Sequence, residues 1–231
     1  MSNVDVFGFP VKSGGEGGGD FTPVLKYTAT AGRFFRVDRV DNGNGFENEE
    51  VDITQGIKFI ADFENLEVGY IRFVAGQAPD FQLVPIGSQM PVKPSPQHAN
   101  GVRFMLKLSK ECGGDRPVRE IAGTSNAFRG AIEAVYTAYL AQKGNNPGKL
   151  PVLTVDKITP VKSGPGSQST NYHPTFRISG WSERKDLVFV PKAVEPSQAS
   201  QVLAATATAP STGSTRAAAP VAETADADDF G

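Results

Sequence analysis

On an extended chain, side chains two residues apart project from the same face, so a cation two residues from an aromatic sets a charge beside a π-face. The sequence does this at Tyr70 with Arg72, and at Arg177 with Ser179 and Trp181. Arg103 stands beside Phe104, and Lys107 shares its alternating face. This combination suits a single nucleic-acid strand: bases stack on aromatic faces at on the order of 1–3 kcal/mol each, while cations neutralise phosphates. Tyr70, Arg72, Arg103, Lys107, Arg177 and Trp181 are therefore the candidate groove residues. Phe34, Phe104 and Phe176 are read as core.

Catalytic chemistry has much less to build on. His98 and His173 are the only histidines and Cys112 the only cysteine, and none stands at a metal-ligand or nucleophile–base spacing. One thiol also excludes an internal disulfide framework. No Walker-type phosphate loop, Gly-x-Ser-x-Gly turn or His-Glu-x-x-His occurs. The Gly-rich run from Ser13 to Asp20 has no strand feeding it and no helix opening after it, so it reads as a linker. The acidic run from Glu47 to Asp52 reads as a solvated loop rather than a cation site. The expectation is a non-enzyme with no cofactor and no metal.

Composition divides the chain of 231 residues into three parts. Residues 1–23 form a flexible start and residues 24–191 a folded body. Residues 192–231, rich in Ala, Thr, Ser and Pro, bury too little to offset their ordering entropy and read as a disordered tail. Residues 1–191 hold 21 Lys and Arg against 20 Asp and Glu, a net of +1, whereas the tail holds two cations against five carboxylates, a net of −3. A nearly neutral body means that any polyanion site must arise from local clustering. No apolar run approaches the roughly 20 residues needed to span a bilayer, and residues 1–5 lack the features of a signal peptide, so no membrane partner is expected.

The elements that must position the candidates are mostly strands. Residues 33–40 run into an Asn-Gly turn, and Ile57, Phe59, Ala61 and Phe63 alternate on one strand face. Residues 69–74 are predicted to return beside residues 57–63 as a hairpin. Five prolines between 75 and 100 mark a long excursion with a brief extended piece at 81–86. Residues 102–110 alternate most cleanly, with Val102, Phe104, Leu106 and Leu108 toward the core and Arg103, Met105 and Lys107 opposite. One helix is predicted from about 126 to 142, capped by Thr124 or Ser125, with Phe128, Ile132, Val135, Tyr136, Tyr139 and Leu140 as its apolar stripe. Strands follow at 151–158 and 174–181, separated by a Gly/Ser loop, with a last apolar run at 187–190. Strands dominate, so the fold class is mainly β. Three strands, a helix, then two strands match a five-stranded Greek-key barrel of OB-fold type with one capping helix and long loop insertions. The alternative is a β-sandwich with one helix.

The last six residues, Asp226-Ala227-Asp228-Asp229-Phe230-Gly231, join three carboxylates to one aromatic. Behind a β-barrel body and a low-complexity linker, this end resembles the acidic tails of single-stranded DNA-binding proteins from bacteria and their phages. The resemblance covers the tail closely and the body by strand order; the family tip usually ends in Phe itself, whereas Gly231 follows Phe230 here. It implies a protein that coats single-stranded DNA without sequence specificity during phage replication or recombination, in the cytoplasm of the bacterial host. It further implies that Asp226, Asp228, Asp229 and Phe230 dock replication or repair proteins, with self-association left open. The alternative is a phage virion structural or accessory β-protein.

Overall fold

The computed structural model of the chain describes residues 22–189, apart from 44, 164–167 and 185. The Gly-rich segment and the tail, including Asp226, Asp228, Asp229 and Phe230, lie outside the described residues. Among the described residues the protein is mainly β, with ten strands, one α-helix and one 3-10 turn. The strands are β1 (Val24–Thr28), β2 (Arg33–Asp41), β3 (Phe46–Asp52), β4 (Lys58–Ala61), β5 (Glu67–Arg72), β6 (Asp80–Pro85), β7 (Ala99–Leu108), β8 (Val118–Gly123), β9 (Lys149–Ser163) and β10 (Ser169–Glu183). They form one mixed sheet in the order β10-β9-β4-β7-β8-β1-β2-β3, with β5 on β7 and β6 on β5. Every pairing is antiparallel except β1 with β8.

β4 and β5 do not form the expected hairpin. Both pair antiparallel with β7, β4 at residues 106–108 and β5 at residues 99–103, so together they run as one interrupted strand. The 3-10 turn Phe63–Asn65 takes up the bend, and Phe63 and Leu66 are 1% and 2% exposed. Burying these two apolar residues holds the turn against the core and keeps the chain moving forward. The true hairpin partner of β5 is β6, inside the Pro-rich excursion. Gly69 of β5 lies so close to the Gln82 carbonyl of β6 that an added Cβ would stand 2.2 Å from the oxygen.

Two further departures share an electrostatic cause. The acidic run expected to be a loop is β3, because its carboxylates face cations across the sheet: Lys26 Nζ lies 2.8 Å from Glu50, and Arg33 pairs with Asp52. β8 escaped the sequence reading because Arg119 and Glu120 interrupt its apolar pattern, yet they are 0% and 6% exposed. Arg119 donates to the Val37 carbonyl at 2.8 Å and to Asp38 at 2.5 Å, while Glu120 pairs with Arg103 at 2.9 Å. Burial pushes the Arg119 pKa down and Asp38 pulls it back up.

The helix α1 (Asn126–Lys143) follows the prediction closely. Ser125 caps it, its hydroxyl accepting from the Phe128 amide at 3.2 Å. Phe128, Ile132, Val135 and Tyr139 are buried in the main core with Leu25, Phe34, Phe59, Phe104, Leu153 and Phe176, whereas Leu140 stays 53% exposed. At one end of the sheet the β1–β2 turn meets the start of β10. The Tyr172 amide donates to the Ala29 carbonyl at 2.7 Å, and the Tyr27 hydroxyl donates to the Tyr172 carbonyl. Gly32, at φ 67°, makes this approach possible, since a Cβ there would stand 2.8 Å from Tyr172.

Candidate nucleic-acid interface

The six groove candidates do not share one surface. Arg103 and Lys107 do project from the face of β7 opposite the main core, as the alternation requires. Over Arg103 and Met105, however, that face is covered by Leu187 and Phe189 of the segment that leaves β10. Leu187 is 2% exposed and packs with Met105 and Leu150 in a second apolar cluster. Arg184 donates to both carboxylate oxygens of Asp62 and to Glu64, bonds that raise its pKa. Arg103 lies beneath this segment, 0% exposed, paired with Glu67 and Glu120 and with its guanidinium 5.8 Å from the Phe189 ring. It is therefore a buried structural cation and not a phosphate ligand. Two carboxylates and an aromatic lid occupy the positions a phosphate would need.

Trp181 is corrected for a different reason. The pairing of β10 with β9 shifts by one residue between Ile178 and Gly180, a β-bulge that breaks the two-residue period. Arg177 stays on the outer face, while Trp181 turns inward and stacks on Tyr139, ring centroids 5.9 Å apart and planes at 29°. Its face is spent on the helix. Tyr70 and Arg72 do share a face of β5, both half-buried, but Arg72 lies 3.7 Å from Asp80 and reaches Gln97 at 3.5 Å. Tyr70 is opposite Asn100 of β7, seven residues from Lys107 and on the other side of the sheet, roughly 24 Å away along the strand. His98 is buried beside them, bonded to Ser95 at 2.8 Å and Asp80 at 3.1 Å, which fastens the excursion to β6.

The surface that does gather cations centres on Lys107. In the sheet, Ile60 lies opposite Lys107 and Val152 opposite Ile60, so these three form a row on the outer face. In the next row Lys58 lies opposite Thr154, and Arg177 opposite Thr154 from the far side. Lys110 follows from the turn after β7, where the Cys112 and Gly113 amides donate to the Ser109 carbonyl. The result is a groove of about 270 Å³ with Lys58, Lys107 and Lys110 around a floor of Ile60 and Val152. Arg177, with a side chain 64% exposed, stands two strands beyond β7's neighbour β4 and extends the cationic row. Two carboxylates reach this surface: Asp186 bonds Lys107 at 2.5 Å, and Asp156 lies 3.9 Å from Arg177.

An aliphatic floor rimmed by cations can seat flat apolar groups while the rim neutralises a row of anions. Of the sequence candidates, Lys107 and Arg177 belong to it. Lys58 and Lys110 were missed by the aromatic-two-residues-away criterion: the residue two on from Lys58 is Ile60, its neighbour Phe59 faces the core, and Lys110 sits in a turn. Lys58 was findable as the charged position of a strand whose alternate residues are buried. No group of three or more His, Cys, Asp or Glu is placed to hold a metal ion among the described residues, and no helix there is long and apolar enough to cross a membrane. Comparison of the chain with protein-family models, with curated proteins and with solved structures found no match.

Proposed function

We propose that this chain binds single-stranded DNA with little sequence preference, along the outer face of β7, β4, β9 and β10. The observation that carries the reading is the groove of Lys58, Lys107 and Lys110 over Ile60 and Val152, continued by Arg177. A single strand presents phosphates along one edge and apolar base faces along the other, and this surface offers the complement of both. Because the floor is aliphatic, base contacts would be van der Waals packing rather than ring stacking, which favours tolerance of sequence.

The strand order supports an OB-type barrel for the body. The interrupted strand β4–β5, then β7 and β8, the helix α1, and finally β9 and β10 reproduce three strands, helix, two strands, with β9 returning to pair with β4. The contact between the β1–β2 turn and β10 draws the two sides of the sheet together. In this reading β1, β2, β3 and β6 are additions to the barrel. The acidic end, Asp226, Asp228, Asp229 and Phe230, docks replication or repair proteins, as the family resemblance implies, in a phage-infected bacterial cell.

The test is fluorescence anisotropy of labelled oligo-dT titrated with the full chain at rising salt; the label belongs on the oligonucleotide because Trp181 is stacked inside. Three or four neutralised phosphates predict a slope of log K against log salt of roughly −2 to −3, at about −0.7 per phosphate for single strands. Lys58→Glu with Lys110→Glu and Arg177→Glu should abolish measurable binding while leaving the fold intact. Absence of binding at low salt, or undiminished binding by that variant, refutes the reading.

A further inference from the structure

β10 ends the sheet path and pairs, among the described residues, with β9 alone, so its other edge is open. Near the start of the strand that edge is used: the Tyr172 amide donates across it to the Ala29 carbonyl at 2.7 Å. Residues two apart on an antiparallel strand present their main-chain groups to the same edge, so those of Pro174, Phe176 and Ile178 follow on it. The register shift between Thr175 and Phe176 leaves this period intact, because the extra residue there, Asp156, belongs to β9. Helix α1 runs alongside. Strand and helix enclose a second groove, of about 500 Å³, lined by residues 173–178 of β10 and by Ala127, Gly130, Ala134 and Ala138 among the helix residues.

Six consecutive residues of β10 line this groove, which places it at the strand's edge, since a groove on one face would touch alternate residues only. Its width comes from the helix: a Cβ at Gly130 would meet nothing within 4 Å, and Ala134 is exposed. In charge it matches the lysine groove. Arg177 lines it, and no Asp or Glu is among the described residues lining either groove. Arg177 also joins the two. Lys58, Thr154 and Arg177 lie in one row across β4, β9 and β10, two strand spacings or about 10 Å at ~4.8 Å each, and the second groove begins at the far edge of β10.

We infer that a DNA strand lying in the lysine groove continues past Arg177, over the edge of β10, and seats bases in the groove between β10 and α1. This second subsite, which rests on the nucleic-acid reading, makes the binding track longer than the lysine groove and bends it around the sheet. The Phe176 and Ile178 amides and the carbonyls along the edge offer a base edge both donors and acceptors, while the alanine face offers its rings apolar contact. A path that turns this corner selects a single strand, because a duplex resists such a bend. An extended peptide is the competing occupant of an open strand edge. Pro174, however, withholds one donor of the ladder a peptide would need, and Arg177 meets a charge that every nucleotide carries.

Two measurements on the full chain with oligo-dT of about 16 nucleotides, the upper end of what one OB fold occupies, test it. In the first, the amide resonances of Gly130, Ala134, Phe176 and Ile178 should shift on titration together with those of Lys58 and Lys107. In the second, Gly130→Leu with Ala134→Leu fills the groove from the open side of α1. Circular dichroism should be unchanged, and fluorescence anisotropy should show about tenfold weaker binding than wild type, the scale of one lost base contact. Should that variant misfold, the resonance shifts decide alone. Shifts confined to the lysine groove, or a filled variant that binds as tightly as wild type, overturn the inference and leave the lysine groove as the whole DNA site, with the β10 edge free for a peptide. No binding by the wild type at low salt refutes the nucleic-acid reading itself, and the second subsite with it.

Discussion

Replacing Arg103 separates a phosphate ligand from a buried structural ion more sharply than any other single change. Its guanidinium is 0% exposed and paired with Glu67 and with Glu120 at 2.9 Å, both carboxylates being themselves nearly buried. Arg103→Met keeps most of the volume but leaves two carboxylates facing each other without a cation, and breaking a buried ion pair from one side costs about 3–5 kcal/mol. For a body of this size the dependence of stability on urea is roughly 2 kcal/mol per molar, so the midpoint of unfolding should fall by about 1.5–2.5 M. Arg103→Met combined with Glu67→Gln and Glu120→Gln should recover most of that loss, because no uncompensated charge remains. The assay is urea unfolding followed by circular dichroism, with oligo-dT affinity measured in parallel under native conditions. Folded Arg103→Met protein should bind DNA with an unchanged salt slope. A midpoint that stays put while the slope shrinks by about 0.7 would show that Arg103 meets a phosphate, and the account of the covered face would be wrong.

Two further outcomes follow from the same contacts. Asp186→Asn removes the carboxylate that bonds Lys107, an exposed pair of modest strength, and should tighten oligo-dT binding about two- to fivefold at low salt, with the gain fading as salt rises. Burial pushes the Tyr27 hydroxyl up to about 12, so between pH 10 and about 12 the folded chain keeps a proton that the unfolded chain has lost. Stability from this group is complete below pH 10 and falls by about 2–3 kcal/mol as pH rises through that window. Urea unfolding at stepped pH should therefore show a shallower alkaline decline for Tyr27→Phe than for the unaltered chain.

The parts of the fold that sequence reveals are those where one rule acts alone. Helix α1 has a cap, a stripe and a stop, and its predicted boundaries hold to within a residue. Ile57, Phe59, Ala61 and Phe63 are buried as their alternation requires, all at 2% or less. The failures occur where long-range pairing overrides a local pattern. Arg119 and Glu120 look like a loop until Asp38 and Arg103, from distant strands, are known to meet them. Trp181 keeps the period of Arg177 on paper, and only the bulge at 178–180 turns it inward. Likewise the alternation of β7 correctly separates Arg103 from Phe104, but alternation says nothing about whether the second face is open, and here a segment some 80 residues downstream closes it over Arg103.

That closure explains how a nearly neutral body can present a cationic surface. Six of its carboxylates are held by four arginines: Asp38 by Arg119, Glu67 and Glu120 by Arg103, Asp62 and Glu64 by Arg184, and Asp52 by Arg33. These contacts largely cancel in the field felt by a ligand, so a net of +1 over residues 1–191 does not say where the remaining charges lie. Lys58 and Lys110 are cations for which pairing with a carboxylate is not part of the sheet's packing, and they meet Lys107 on the outer rows of β4 and β7. The same neutralisation thus hides the site from a charge count while the surface stays cationic where Lys58, Lys107 and Lys110 meet.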